Sequence, residues 1–227
     1  AMLDALWRAG REAFGQDGVQ LSDFIIHHPL VLSGAETIWQ TTASAIKDGR
    51  SEVNLHEKIE VSVGAKPSWR LIASANVVQS ASKSLAGAAV EGRAIHLDYD
   101  AFERLGAAFG ATFRTVASLT VGVDVAQAHV VANVPLASDG VHPTLLDGAW
   151  QACIAAAGAK GAPTSLLLPI GVEQFSVYGA AEGQLDARIS WRRREGQSLV
   201  ADVVLHSLAG EIIAAMKGIR FVQADRK

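Results

Sequence analysis

Apolar and polar residues alternate with period two in segment after segment of this chain. That rhythm restricts it to folds built on half-buried antiparallel strands. Over residues 53–63, Val53, Leu55, Ile59, Val61 and Val63 face one way apart from Glu57, while Asn54, His56, Lys58, Glu60 and Ser62 face the other. Trp69, Leu71, Ala73, Ala75 and Val77 repeat the pattern after the Lys66-Pro67 break, and Leu199, Ala201, Val203 and Leu205 repeat it near the C-terminus. A last strand is expected over residues 212–222, bending at Gly218, where the phase of the large apolar residues changes.

Two helices interrupt the strands. The first is expected over residues 33–46: Ser33 and Glu36 make an S-x-x-E capping box, Ala35, Ile38, Thr42 and Ala45 recur at helical spacing, and Asp48-Gly49 ends the run. The second is expected over residues 143–157, with Pro143 at its start and Gly158 as its stop. Each helix is followed by several strands, so the chain reads as two copies of a helix wrapped by an antiparallel sheet, a first core over 15–80 and a second over 94–227. Residues 79–93, rich in Ser, Ala and Gly without an apolar period, read as the linker. Residues 3–14 are helix-like and read as a remnant of an upstream region.

With 227 residues, 49% of them hydrophobic, and a net charge of -3, the chain suits one large domain or two fused small ones in a soluble, cytoplasmic setting. No apolar run approaches the roughly 20 residues of a membrane span, and no signal peptide is visible. The lone Cys153 cannot form an internal disulfide and reads as a small core residue rather than a nucleophile. Nucleic acid is not expected, because the one dense basic run, Arg192-Arg193-Arg194, reads first as a solvated hairpin end and only second as a dock for an acidic carrier protein. No cofactor is expected without a glycine-rich phosphate loop, and no metal without a ligand cluster.

The chemistry concentrates in His142-Pro143-Thr144-Leu145-Leu146-Asp147-Gly148-Ala149-Trp150-Gln151. It sets a carboxylate in the first turn of an apolar helix and an amide one turn later on the same face, where the amide can orient the carboxyl. Desolvation disfavours the charged form, so Asp147 is either a tuned proton donor or a cap of the helix that Pro143 begins.

This string resembles the second catalytic motif (HPxLLDxxxQ) of the dehydratase domains of modular polyketide synthases. Phe109-Gly110-Ala111-Thr112-Phe113-Arg114 is similar to the YGPxFQ-type segment ahead of that motif, and Leu168-Pro169-Ile170-Gly171-Val172 to the LPxGI strand after it. Asp23 to Glu36 aligns without a gap to the family's DHxxxGxxxxPGAxxxE pattern, with Phe24 in place of the catalytic His, His28 in place of the Gly and Ser33 in place of the Pro. The resemblance implies a double hotdog, an α+β fold of two antiparallel sheets each wrapping a central helix. It also implies a substrate channel between the halves, where the acid of the second helix meets the loop preceding the first. Phe24, Phe109, Gly110, Phe113, Pro169 and Gly171 would line the channel, with Trp39 and Trp150 as further candidates, although the aromatic residues serve equally as core.

The resemblance further implies an acyl carrier protein whose phosphopantetheine holds the thioester, an upstream ketosynthase, and a dimer through the parent synthase. Dehydration in that family needs a His to remove the α-proton while the Asp protonates the departing hydroxyl. Phenylalanine does neither, and losing a positioned base costs on the order of a hundred- to ten-thousand-fold in rate. Three functions follow. The leading one is a repurposed domain that assists β-branching by conjugate addition, or ring closure, with Asp147 and Gln151 acting on the thioester. The second is a dehydratase or double-bond isomerase in which His27 or His28 replaces the base; those two otherwise read as a polar loop. The third is an inactive structural or docking module.

Overall fold

A computed structural model of the chain describes residues 1–15, 18–29, 37–59, 68–79, 90–134, 140–158, 166–181, 183–195 and 198–224. The expected caps Ser33 and Glu36, the 53–63 strand beyond residue 59 and most of the 79–93 linker lie outside them. The chain forms two compact units, one of Ala1–Ala81 with Ile170–Ser176, the other of Ser82–Pro169 with Val177–Lys227.

The first unit opens with helix α1, Met2–Phe14. Leu3, Leu6, Trp7 and Gly10 fall at i, i+3, i+4 and i+7 and are buried, the stripe of a helix lying on a sheet. Gly15 ends it in the left-handed conformation (φ 63°), its N–H donating to the carbonyls of Arg11 and Glu12. The strands are β1 (Val19–Ile26), β2 (Trp39–Ala43), β3 (Arg50–Ile59) and β4 (Ser68–Gln79), joined by residues 170–176 of a later strand β8 (Leu167–Val177) in the antiparallel order β2-β3-β4-β1-β8. Helix α1 touches β1 to β4, and a Cβ on Gly10 would come within 2.9 Å of the Val77 methyls.

The helix expected over 33–46 is not found where the chain is described: residues 39–43 are strand β2, paired with β3 from Trp39↔Glu57 to Ala43↔Val53. Two β-branched threonines suit an extended backbone. Asp48-Gly49 is no helix stop; both residues have positive φ (50° and 70°) in a two-residue hairpin turn closed by reciprocal Lys47–Arg50 backbone bonds. The first unit's helix is instead α1, the segment that reads as a remnant. Period two also fails locally in β3 and β4. Val53 and Leu55 are buried, but between Leu55 and His56 the register shifts, so Ile72 is buried while Trp69 and Ile59 are 39% and 38% exposed.

The second unit holds β5 (Arg93–Ile95), a short helix α2 (Tyr99–Arg104) that the sequence reading passed over, β6 (Val116–Val121), β7 (Val125–Val131), α3 (Pro143–Gly158), β9 (Gln184–Glu195), β10 (Ser198–His206) and β11 (Ile212–Gln223). Its strand order is β11-β10-β9-β7-β6-β5, again antiparallel, with α3 against β6, β7 and β9. Leu199, Ala201, Val203 and Leu205 are all buried, as expected.

The expected bend in β11 is a bulge: Ala201 faces Ile219 and Val203 faces Met216, with Gly218 at φ 63°. Asp202 secures it, one oxygen accepting the Gly218 N–H at 2.7 Å and the other pairing with Arg192 at 2.7 Å. That pairing gives Arg192 a structural partner within the sheet. A Gly218→Ala substitution forces a Cβ into the left-handed region and is expected to lower unfolding free energy by about 1–2 kcal/mol. Urea denaturation checks this, and an unchanged midpoint would contradict it.

Candidate active site

Helix α3 begins at Pro143, and His142 supplies its cap. The Thr144 N–H donates to His142 Nδ1 at 3.3 Å, which makes Nδ1 an acceptor, so the Thr144 hydroxyl donates to it at 2.8 Å. The His142 carbonyl accepts from Leu145 and Leu146. Asp147 therefore stands in the second turn, not the first, and the capping reading of it does not hold.

Gly148 lets that turn approach the sheet. A Cβ there would collide with the Thr115 hydroxyl and come within 2.6 Å of a Val130 methyl. Thr115, just ahead of β6, is buried and donates to the Thr144 carbonyl at 3.2 Å, tying the approach to that strand to the helix start.

Around Asp147 the helix is apolar, with Leu145, Leu146, Ala149 and Cys153 buried. Asp147 itself is partly exposed. Its Oδ2 accepts from Gln151 Nε2 at 2.6 Å, the i, i+4 pairing expected from the sequence. Gln151 is 1% exposed, and the same Nε2 donates to the Phe113 carbonyl at 2.8 Å. Desolvation raises the Asp147 pKa above the ordinary aspartate value, and the bond from Gln151 opposes it in part. With Oδ2 occupied by a donor, the proton of the neutral acid resides on Oδ1. The arrangement is a carboxylic acid with one oxygen fixed and the other free to give a proton.

The 109–114 segment meets this pair through its backbone. Gly110 precedes a single 3-10 turn, Ala111–Phe113, and Asn133 donates to the carbonyls of Ala111 and Arg114 at 3.1 and 2.8 Å, holding the turn so that Phe113 C=O faces Gln151. Arg114 Nε donates to the Phe109 carbonyl. The Phe113 ring is 39% exposed, and the Phe109 ring stacks edge-on with Phe102 and Tyr99. Tyr99, absent from the motif reading, donates to Gln151 Oε1 at 3.1 Å; only its aromatic character beside Asp98, the N-cap of α2, marks it in sequence. Cys153 is fully buried and burial raises its thiol pKa, which suits core and not a nucleophile.

Phe24, the two histidines, Pro169 and Gly171 lie on or beside other elements. Phe24 is 1% exposed on β1, opposite Val172. His27 and His28 follow that strand, exposed, both backbone N–H groups on the Ile72 carbonyl and His27 Nε2 against the Ser74 hydroxyl at 2.8 Å. Gly171 is buried opposite Ile25, and Pro169 lies inside β8 rather than in a turn.

Residues 80–227 match the family described as "Polyketide synthase dehydratase N-terminal domain". The chain belongs to the polyketide synthase dehydratase family. Among solved structures, the dehydratase domain of RzxB from Pseudomonas fluorescens matches at 20% identity and a TM-score of 0.80 over 97% of this chain and 83% of that one. The dehydratase domain from the CurF module of curacin polyketide synthase matches at 23% and 0.80 over 98% and 83%. The corresponding domain from the CurJ module matches at 16% and 0.83 over 98% and 81%. No curated protein sequence matches. These likenesses carry the fold, a double hotdog, as expected from the sequence. Among the described residues, no helix is long and apolar enough to cross a membrane.

In this dehydratase-family chain Phe24 is a core residue of β1 and His27 and His28 follow that strand, all three coming after α1, the helix described in the first unit.

The folded chain holds the Asp147 proton more tightly than the unfolded one. The proton therefore contributes stability that is fully present below the ordinary aspartate pKa of 3.8 and is lost as pH rises through the higher folded value. An Asp147→Asn variant is expected to melt higher than the parent at neutral pH, with the gap closing as pH falls towards 3.8. Melting curves across pH test this; an equal difference at every pH would contradict it.

Proposed function

We propose that this domain dehydrates a β-hydroxyacyl thioester carried on an acyl carrier protein, with Asp147 as the general acid. The observation that carries this reading is the partly exposed Asp147 carboxyl, raised in pKa by its apolar surroundings and held through Oδ2 by Gln151. A base removes the α-proton, the Cβ–O bond breaks, and the Oδ1 proton of Asp147 leaves with the hydroxyl as water; an α,β-unsaturated thioester remains. Gln151 keeps the acid aimed throughout.

The β-branching reading, with a ketosynthase as partner, starts from Phe24 in the place of a catalytic His; the burial of Phe24 in the first unit offers it a core role instead. The inactive-module reading leaves Asp147 as a helix cap, whereas His142 accepts the cap bond from the Thr144 N–H, which favours the acid role for Asp147.

In the intact synthase, Asp147→Asn is expected to reduce water loss from a β-hydroxyacyl carrier protein by at least about a hundredfold, whereas His27→Ala and His28→Ala stay within a few-fold of the parent. Intact-protein mass spectrometry of the carrier reads the loss. Full activity in Asp147→Asn would overturn the assignment. Abolition by either histidine variant would instead restore a relocated base.

A further inference from the structure

The hydrogen bonds behind Asp147 form a chain whose direction is fixed at both ends. A backbone N–H only donates, so the Tyr99 oxygen accepts from Val116 at 3.3 Å and its own proton turns to Gln151 Oε1 at 3.1 Å. A carbonyl only accepts, so the face of the amide towards Phe113 is Nε2, at 2.8 Å, and the second Nε2 proton reaches Asp147. Turning the amide over would set its oxygen against two acceptors and its NH2 group against a hydroxyl already committed to donating.

The Tyr99 ring is held independently of these bonds, by Phe102 and Phe109 with centroids at 6.4 and 6.1 Å and by the Arg114 guanidinium at 5.3 Å over its face. Burial, reinforced by the Asp147 charge, raises its pKa and keeps the phenol a donor.

We propose that Tyr99 is a positioning residue, which locks the Gln151 amide in the one orientation that donates to Asp147 and so keeps the acid's proton on the free oxygen. The proposal rests on the acid role of Asp147 for its catalytic consequence, but not for its physical content. Without the phenol, only the Phe113 carbonyl still orients the amide, so the share of amides that present their oxygen to Asp147 grows; in that share the proton is drawn to Oδ2 and away from substrate, and the Asp147 pKa rises because the bond that lowers it is lost. Such a residue affects kcat and leaves KM in place.

The test is a carbon-13 NMR titration of the Asp147 carboxyl in this chain, in the parent, Tyr99→Phe, Gln151→Ala and the double variant. Phenylalanine keeps the ring contacts, so the fold is retained. Tyr99→Phe is expected to move the titration up by about half a pH unit to one unit, and the double variant to move no further than Gln151→Ala alone. An unmoved titration in Tyr99→Phe, or shifts that add in the double variant, would overturn the proposal. Dehydration by the intact synthase is the second readout, with a several-fold drop in kcat at unchanged KM expected. If the parent does not dehydrate at all, the functional reading fails while the titration still decides the role of Tyr99.

Discussion

Everything at this site depends on one constraint, a single carboxyl on a helix that the second sheet otherwise buries as apolar surface. Helix α3 offers Leu145, Leu146, Ala149, Ala152 and Cys153 to the core, and Asp147 is its sole ionisable group apart from the thiol. Keeping a charge there costs free energy, so the group relaxes towards its neutral form. The fold therefore prepares an acid by packing, while its polar partner Gln151 aims it and offsets part of the rise in pKa. Gly148 is what makes the packing close enough, because any side chain at that position would meet Thr115 and Val130.

Much of the second unit was legible in the sequence. The helix from Pro143, the Asp147–Gln151 pairing, the alternating strand β10 and the bend at Gly218 all follow from short-range spacing, and each occurs where it was expected. The first unit was misread for a physical reason. Helical spacing over 33–46 competed with an Asp-Gly hairpin turn and two adjacent threonines, and over the described residues 39–43 the pairing of β2 with β3 across that turn decided the matter. The true helix, α1, carries a clear buried stripe at Leu3, Leu6, Trp7 and Gly10, which was seen but given no role.

Side-chain partners across elements were out of reach of the sequence. His142 looks like part of a catalytic string and caps the helix through Nδ1. Tyr99, 52 residues away from Gln151, completes the amide's hydrogen bonding, and only its place beside the α2 cap Asp98 marks it locally. The turn at Ala111–Phe113 contributes a backbone carbonyl, a group that every sequence possesses and only a fold can aim.

The most direct test of the acid role is the pH dependence of kcat/KM for water loss from a carrier-bound β-hydroxyacyl thioester by the intact synthase. An acid that must be protonated to act predicts a rate that falls on the alkaline side, with its midpoint above the ordinary aspartate range near 3.9. A rate that is flat through neutral and alkaline pH, or that has already fallen at the ordinary aspartate value, would contradict a raised Asp147 as the proton donor.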